Sequence, residues 1–197
     1  MKRAFDIVFS ALGLVVLLPL FALIGALILA FDGWPVFYCQ ERIGHRGRPF
    51  YICKFRTMVR DAERLGKPLT VGGDPRITWL GRWLRKTKLD ELPQLWNVLV
   101  GEMSFVGPRP EVERYVDRYT PAQSRVLELV PGITDAASIV YRNETELLEA
   151  FQNPEQAYIE EIIPAKIQLN LEYATRANVL RDCVVIFRTV GRLCWRG

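Results

Sequence analysis

The sequence predicts an α+β fold, mostly helical, and three observations carry that reading. An uncharged run of 25 residues, Ile7 to Phe31, is almost wholly apolar and has Pro19 at its centre. Two strand-like stretches, Val36-Phe37-Tyr38-Cys39 and Phe50-Tyr51-Ile52-Cys53-Lys54-Phe55, flank a loop containing Gly44, Gly47 and Pro49, the pattern of a small β-hairpin. Beyond them, apolar residues recur at helical spacing with Arg and Lys interspersed, as in amphipathic helices that lie in a membrane interface.

The apolar run comes first. As one straight helix it would reach about 37 Å, enough to cross a bilayer core of roughly 30 Å. It is too long for the apolar part of a signal peptide. Pro19 removes a helix hydrogen bond and crowds the preceding turn, so a kink is expected near Leu18. Each limb is then about 18 Å, too short to cross alone. Lys2 and Arg3 precede the run, and Arg42, His45, Arg46 and Arg48 follow it. Positive charge marks the cytoplasmic side, and both flanks are basic. A re-entrant membrane helix hairpin kinked at Pro19 satisfies both flanks, whereas one kinked crossing sends one of them outward. The chain then divides into a membrane segment, residues 1–35, and a membrane-associated domain, residues 36–197.

Composition limits the partners. The formal net charge is +4 and half the residues are hydrophobic. A partner carrying phosphate fits this balance: an anionic lipid or a nucleotide. The aromatic and basic residues lack the arrangement of a nucleic-acid reader, so no nucleic acid is expected. Among Cys39, Cys53, Cys183 and Cys194 no pair has C-x-x-C spacing, and His45 is the only histidine, which argues against zinc. Free thiols in a reducing compartment are expected. Residues 59–75 read as a loop ending in Gly72-Gly73-Asp74-Pro75, without the spacing of a phosphate-binding P-loop.

Arg76 to Lys86 reads as a helix with a broad apolar face, and its tryptophans Trp79 and Trp83 suit an interface or a core equally. Leu89, Leu92, Leu95, Trp96 and Leu99 mark the next helix. Pro93 is tolerated only in a first turn, so this helix starts near Asp90 to Leu92 and ends at Gly101. Asp90 and Glu91 then stand at its amino end, beside Arg85, Lys86 and Lys88, where the dipole and free N–H groups also favour phosphate. A solvated helix start is the plain alternative. Adjacent side chains diverge by about 100°, so the two acids serve different purposes. Met103 to Val106 reads as a strand and Pro131 to Thr134 as a turn. Pro108 and Pro110 fix the backbone on both sides of Arg109, whose fork suits phosphate oxygens. Lys54 and Arg56 stand at the end of the second strand. Pro121 to Val130, Glu144 to Phe151, Glu155 to Tyr173 (with Pro164 as punctuation) and Asn178 to Trp195 read as helices, the last one amphipathic and basic. Its lone acid, Asp182, suits pairing with Arg181 or Arg188.

Several motifs occur together and in order: Lys2-Arg3-Ala4-Phe5-Asp6, Gln40-Glu41-Arg42-Ile43-Gly44, Lys54-Phe55-Arg56-Thr57-Met58, Leu89-Asp90-Glu91-Leu92-Pro93-Gln94, Gly107-Pro108-Arg109-Pro110 and Pro131-Gly132-Ile133-Thr134. In this the chain resembles, over nearly its whole length, the bacterial sugar transferase family. These are the small monotopic phosphoglycosyl transferases that begin glycoconjugate and polysaccharide assembly. The resemblance implies an enzyme on the cytoplasmic face of the bacterial inner membrane. A UDP-sugar binds with Mg²⁺, the aspartate matching Asp90 attacks the sugar-bearing phosphorus, and UMP leaves. Polyprenyl (undecaprenyl) phosphate then takes the phosphosugar, giving polyprenyl-diphospho-sugar. The same resemblance makes Glu91 the assistant of Asp90 and both acids candidate metal ligands. It makes Arg109 the phosphate clamp, and Lys54, Arg56 and Arg85 further phosphate or nucleotide contacts. Asp182 matches an acid of the family's last helix.

Three positions depart from the family pattern. Leu18 stands where Ser often precedes the hairpin proline, and Asp135 stands where Gly usually follows the Pro-Gly-Ile-Thr turn, which bears on contacts at the sugar end. The segment from residue 142 to Pro164 is long and acidic. The competing reading is a non-catalytic, membrane-anchored lipid- or protein-interaction module, which has no need of the Asp90–Glu91 pair.

Overall fold

The computed structural model describes residues 1–65, 73–141 and 143–194. The apolar run forms two helices, α1 (Lys2–Val16) and α2 (Leu18–Phe31), bent by 57° at Leu17. Pro19 sits in the first turn of α2, where a missing N–H breaks no helix hydrogen bond. Among the described residues no single helix is long and apolar enough to cross a membrane, although the bent pair together has the length and composition for one.

Next come β1 (Phe37–Ile43) and β2 (Pro49–Phe55), an antiparallel pair with Cys39 opposite Cys53. The two thiols face each other at 3.3 Å. A short α3 (Ala62–Leu65) follows. The middle of the predicted loop, residues 66–72, lies outside the described residues, as do Trp195 at the end of the last predicted helix and the side chain of Cys194. Then comes α4 (Trp79–Thr87), capped by Thr78, whose hydroxyl accepts the Gly81 N–H at 2.9 Å. Leu80 and Leu84 of α4 are buried while Trp79 and Trp83 are exposed, so this helix packs with one face and presents tryptophan on the other.

Lys88 adopts φ 58° and turns the chain into a 3₁₀ helix, Leu89–Gln94, that runs on into α5 (Leu95–Val100). The predicted single helix is therefore two windings, and Pro93 fits inside the first because its tighter turns are short and irregular. Strand β3 (Ser104–Val106) pairs in parallel with β4 (Gly132–Thr134). The Pro131–Thr134 segment is thus strand where the sequence predicts a turn. Its glycine is required: a Cβ on Gly132 would stand 2.1 Å from the Gly107 nitrogen.

Between and after these strands lie α6 (Glu113–Val116), α7 (Pro121–Ser124), α8 (Ala136–Val140), α9 (Glu144–Glu149), α10 (Pro154–Ala157), α11 (Ile163–Ala174) and α12 (Val179–Cys194). The predicted helix from Pro121 is α7 plus a 3₁₀ turn, Arg125–Glu128. Pro164 does not punctuate as expected. A π-helical turn, Tyr158–Ile162, joins α10 to α11 and leaves Pro164 in a first turn, where it is harmless.

Both ends of the hairpin are fastened to the same body of protein. At the start, Lys2 Nζ donates to the Val106 carbonyl at 2.8 Å and pairs with Asp182 at 2.9 Å. Arg3 donates to the last carbonyls of α5, Val98 at 2.5 Å and Leu99 at 2.7 Å. Buried Asp6 accepts from the Ser104 hydroxyl at 3.2 Å and the Phe105 N–H at 3.3 Å. At the far end, Arg56 donates to the carbonyls of Asp32 at 2.7 Å and Gly33 at 2.6 Å. Ile24 and Ile28 share a core with Val36, Phe55, Leu80 and Leu84.

Candidate active site

Helix α4 lies flush against the chain that leaves β2. A Cβ on Gly81 would stand 2.1 Å from the Thr57 carbonyl oxygen, so only glycine permits the approach. Four residues on, Arg85 donates to the Thr57 hydroxyl at 2.8 Å. The left-handed turn at Lys88 then folds the 3₁₀ segment back over β2, and Asp90 and Glu91 face Lys54. The two acids are almost fully withdrawn from solvent, at 6% and 8% exposure.

Their surroundings differ. Glu91 is gripped: Arg109 donates to its Oε1 at 2.8 Å and to its Oε2 at 3.4 Å, and Lys54 Nζ stands 3.4 Å from Oε1. Burial opposes its charge, but Arg109, then Lys54 and Lys88, hold its carboxyl well below the usual carboxylate range. Asp90 has no such grip. Its Oδ1 is buried without a hydrogen-bond partner. Burial first, and the neighbouring Glu91 charge second, push its carboxyl above the usual range against Lys54, Lys88 and Arg85. Burial likewise draws the Lys54 ammonium down to about 8, against the pull of Glu91.

The turn that carries Arg109 is bracketed from behind. Asp135, 1% exposed, accepts the Arg109 backbone N–H at 3.1 Å and also accepts the Ser138 N–H at the start of α8. The residue that departs from the family pattern is thus a support for the Arg109 turn. Glu111 forms a second brace. It accepts from the Tyr158 hydroxyl at 2.5 Å, lies 3.7 Å from Arg42, and its backbone carbonyl takes the Ile43 N–H at 2.9 Å.

Asp90, Glu91, Lys54, Arg85 and Arg109 therefore converge, as the sequence anticipates. Arg56 does not join them: its guanidinium holds the end of α2, and its bonds reach neither acid. Asp182 does not join them either. It pairs with Lys2 and accepts from Tyr173 at 2.6 Å rather than meeting Arg181 or Arg188, because α12 turns it inward onto the first turn of α1. Sequence reasoning missed the braces Arg42, Asp135 and Tyr158. It also missed two buried polar residues of α11, Lys166 and Asn170. The available signal was their place in the stripe Ile163, Ile167: polar residues on an apolar helix face are there for a reason.

The site suits a divalent cation only in company. Among the described residues no three His, Cys, Asp or Glu side chains form a metal-binding group. Two carboxylates, one with an unspent oxygen, do match the donor set Mg²⁺ takes when substrate phosphates supply the remaining ligands.

Buried acids flanked by cations, beside the Arg109 turn, fit what the comparisons find. The protein is 35% identical over 208 residues to "Exopolysaccharide production protein ExoY" of Sinorhizobium fredii, covering 98% of this chain and 85% of that one. It is 44% identical over 118 residues to a "Putative undecaprenyl-phosphate N-acetylgalactosaminyl 1-phosphate transferase" of Bacillus subtilis, covering 60% and 66%. It is 36% identical over 206 residues to an "Undecaprenyl-phosphate glucose phosphotransferase" of Komagataeibacter xylinus, covering 97% of this chain and 35% of that longer one. The family model described as "Bacterial sugar transferase" matches residues 1–196, from the docked start of α1 through the acid pair and the Arg109 turn to the last helix, and the chain belongs to that family.

Proposed function

We propose that the protein transfers a sugar-1-phosphate from a UDP-sugar to polyprenyl (undecaprenyl) phosphate, yielding polyprenyl-diphospho-sugar and UMP. Asp90 carries this reading: a buried carboxylate with one oxygen unspent, beside an acid whose oxygens are both engaged. A non-catalytic interaction module has no use for so costly a group.

Asp90 attacks the phosphorus that bears the sugar. The bond from that phosphorus to the bridging oxygen breaks, and UMP leaves with the oxygen. An acyl phosphate now joins Asp90 to the sugar phosphate. An oxygen of polyprenyl phosphate then attacks the same phosphorus and Asp90 departs as carboxylate. Two displacements let a water-soluble donor and a lipid acceptor use one nucleophile in turn. Arg109, held by Glu91, presents donors to the phosphoryl oxygens, and Lys54 adds charge. Asp90 and Glu91 would hold Mg²⁺ together with the donor diphosphate, and the ion would neutralise charge on the departing UMP.

Residues 1–35 form the membrane hairpin, and residues 36–197 sit on the cytoplasmic face of the inner membrane. The docking of both hairpin ends on one body supports this placement. So does the apolar surface left exposed on α1 and α2 (Val8, Leu12, Val15, Leu23), on α4 (Trp79, Trp83) and on α12 (Leu180, Phe187).

The test is UMP release from UDP-hexoses by detergent-solubilised protein with Mg²⁺ and polyprenyl phosphate. With the acceptor omitted, a labelled sugar phosphate should stay on the chain and map to Asp90. An Asp90→Asn variant that turns over at the wild-type rate refutes the reading.

A further inference from the structure

The β-hairpin turns two different faces to its surroundings. Phe50, Ile52 and Lys54 of β2 face the core and the acid pair. The other face is made of cross-strand pairs: Phe37 stacked on Phe55, Cys39 opposite Cys53, and Glu41 opposite Tyr51. This face is open, with Phe37 and Tyr51 both exposed. Cys39 is exposed with them, and Cys53 is half-buried.

The register decides what the two thiols can do. The Arg56 N–H donates to the Val36 carbonyl at 2.9 Å, and ladder bonds alternate from there, so Cys39 and Cys53 form a pair without ladder bonds. Two other donors agree. The Cys53 N–H turns away from β1 to the Asn97 side-chain oxygen at 3.1 Å, and the Ile43 N–H turns away from β2 to the Glu111 carbonyl. Partners of this kind have Cα atoms about 4.5 Å apart, inside the range of about 4.4–6.8 Å that a disulfide spans. The two sulfurs already stand 3.3 Å apart, in hydrogen-bond contact. Burial first, and then the bond to Cys39, push the Cys53 thiol up to about 11, so Cys53 keeps its proton at neutral pH.

We propose that Cys39 and Cys53 form a modification site, a dithiol that a low-molecular-weight disulfide such as oxidised glutathione converts reversibly into a cross-strand disulfide. The exposed Cys39 attacks as thiolate on one sulfur of the reagent, whose S–S bond breaks and whose other half leaves as a thiolate. Cys53 gives its proton to that thiolate, and its sulfur attacks Cys39 and expels the second half of the reagent. The two cysteines are oxidised by two electrons, the reagent is reduced to two thiols, and both protons end on those thiols. Disulfides most often hold Cα atoms about 5.5–6 Å apart, wider than an unbridged pair of this kind, so the bond spreads the strands. An exposed and strained bond of this sort is readily reduced again. Asn97 pins β2, since it also donates to the Tyr51 carbonyl at 2.8 Å and to Glu102 at 2.7 Å. The movement therefore falls on β1, whose Arg42 donates to the Pro110 carbonyl at 3.2 Å, next to Arg109. Resting on the function proposed above, oxidation slows turnover through that brace.

The experiment treats the detergent-solubilised full chain with oxidised glutathione, blocks the remaining thiols, and maps unreduced peptides by mass spectrometry. A peptide linked through Cys39 and Cys53 is expected, two hydrogens lighter than its parts, on a chain that runs as a monomer and returns to the dithiol with reduced glutathione. Cys53→Ser should hold the glutathione adduct on Cys39, and Cys39→Ser should give no link. In the wild type kcat for UMP release should fall by about 10-fold on oxidation and recover on reduction, while Cys39→Ser should not respond. A wild-type chain that stays a dithiol, keeps glutathione on either cysteine, or links to a second chain overturns the proposal. A mapped Cys39–Cys53 bond with unchanged kcat overturns the coupling to the Arg109 turn. Absence of UMP release from the reduced protein overturns the proposed function, and the peptide map still decides the modification site.

Discussion

The surroundings of Glu91 and those of Asp90 are one residue apart and electrostatically opposite. Around Glu91 the protein has placed Arg109 and Lys54 at bonding distance, and the negative charge is welcome. Around Asp90 it has placed burial and a like charge, and the negative charge is resented. The same carboxylate chemistry thus yields a support in one place and a disfavoured charge in the other. The 3₁₀ winding makes this possible. Successive side chains diverge by about 120° there, so neighbours face different walls.

Stability follows the same division. The Asp90 carboxyl is raised, so its contribution is fully present below the unfolded value near 3.9 and is lost as pH rises through the folded one. At neutral pH its charge therefore costs stability. The Glu91 carboxyl is lowered, so its contribution is present above the unfolded value near 4.3 and is lost as pH falls through the folded one.

The sharpest test of the contrast is Asp90→Asn. Turnover should fall by about 10⁴-fold, while the melting temperature rises by roughly 2–4 °C because a buried charge is gone. A fall in melting temperature would show that Asp90 is a support after all. Glu91→Gln should do the reverse to the fold, costing about 2 kcal/mol. That is less than for a fully buried pair, since Arg109 keeps 33% of its side chain exposed. Its turnover should drop about 10²-fold as the Arg109 fork loses its anchor. Denaturant titration of the two variants side by side measures the opposition directly. The smallest effect is Lys54→Met. Lys54 favours the charged form of Asp90, so removing it should move the acid limb of the kcat/KM profile to higher pH. A limb that stays put would place Lys54 outside the field of the nucleophile.

Much of this was legible in the sequence, and the misses share a cause. Periodicity located α1, α2, α4, α5 and α12, and prolines and glycines located the breaks. The cluster of Asp90, Glu91, Lys54, Arg85 and Arg109 was legible because its members sit in motifs. Arg56 stands apart from that cluster, on the carbonyls at the end of α2, and nothing local distinguishes an arginine aimed at phosphate from one aimed at helix-end carbonyls. Asp182 was misread for the same reason: its partner Lys2 lies at the other end of the chain, and spacing along a helix reports only neighbours within a turn. Strand β4 was hidden because a parallel pairing of three residues with β3 leaves no periodic trace. Lys166 and Asn170 were passed over among the acidic residues that surround them.

The Lys2–Asp182 clasp has a consequence for how the molecule is made. Asp182 leaves the ribosome on the order of ten seconds after Lys2 at bacterial elongation rates. The bent helix pair α1–α2 is therefore made before its lock. Loss of α12 would leave the Lys2 ammonium with only the Val106 carbonyl. Helix α12 is thus a latch on α1, and any chain cut short before Asp182 has made its first helix without its lock.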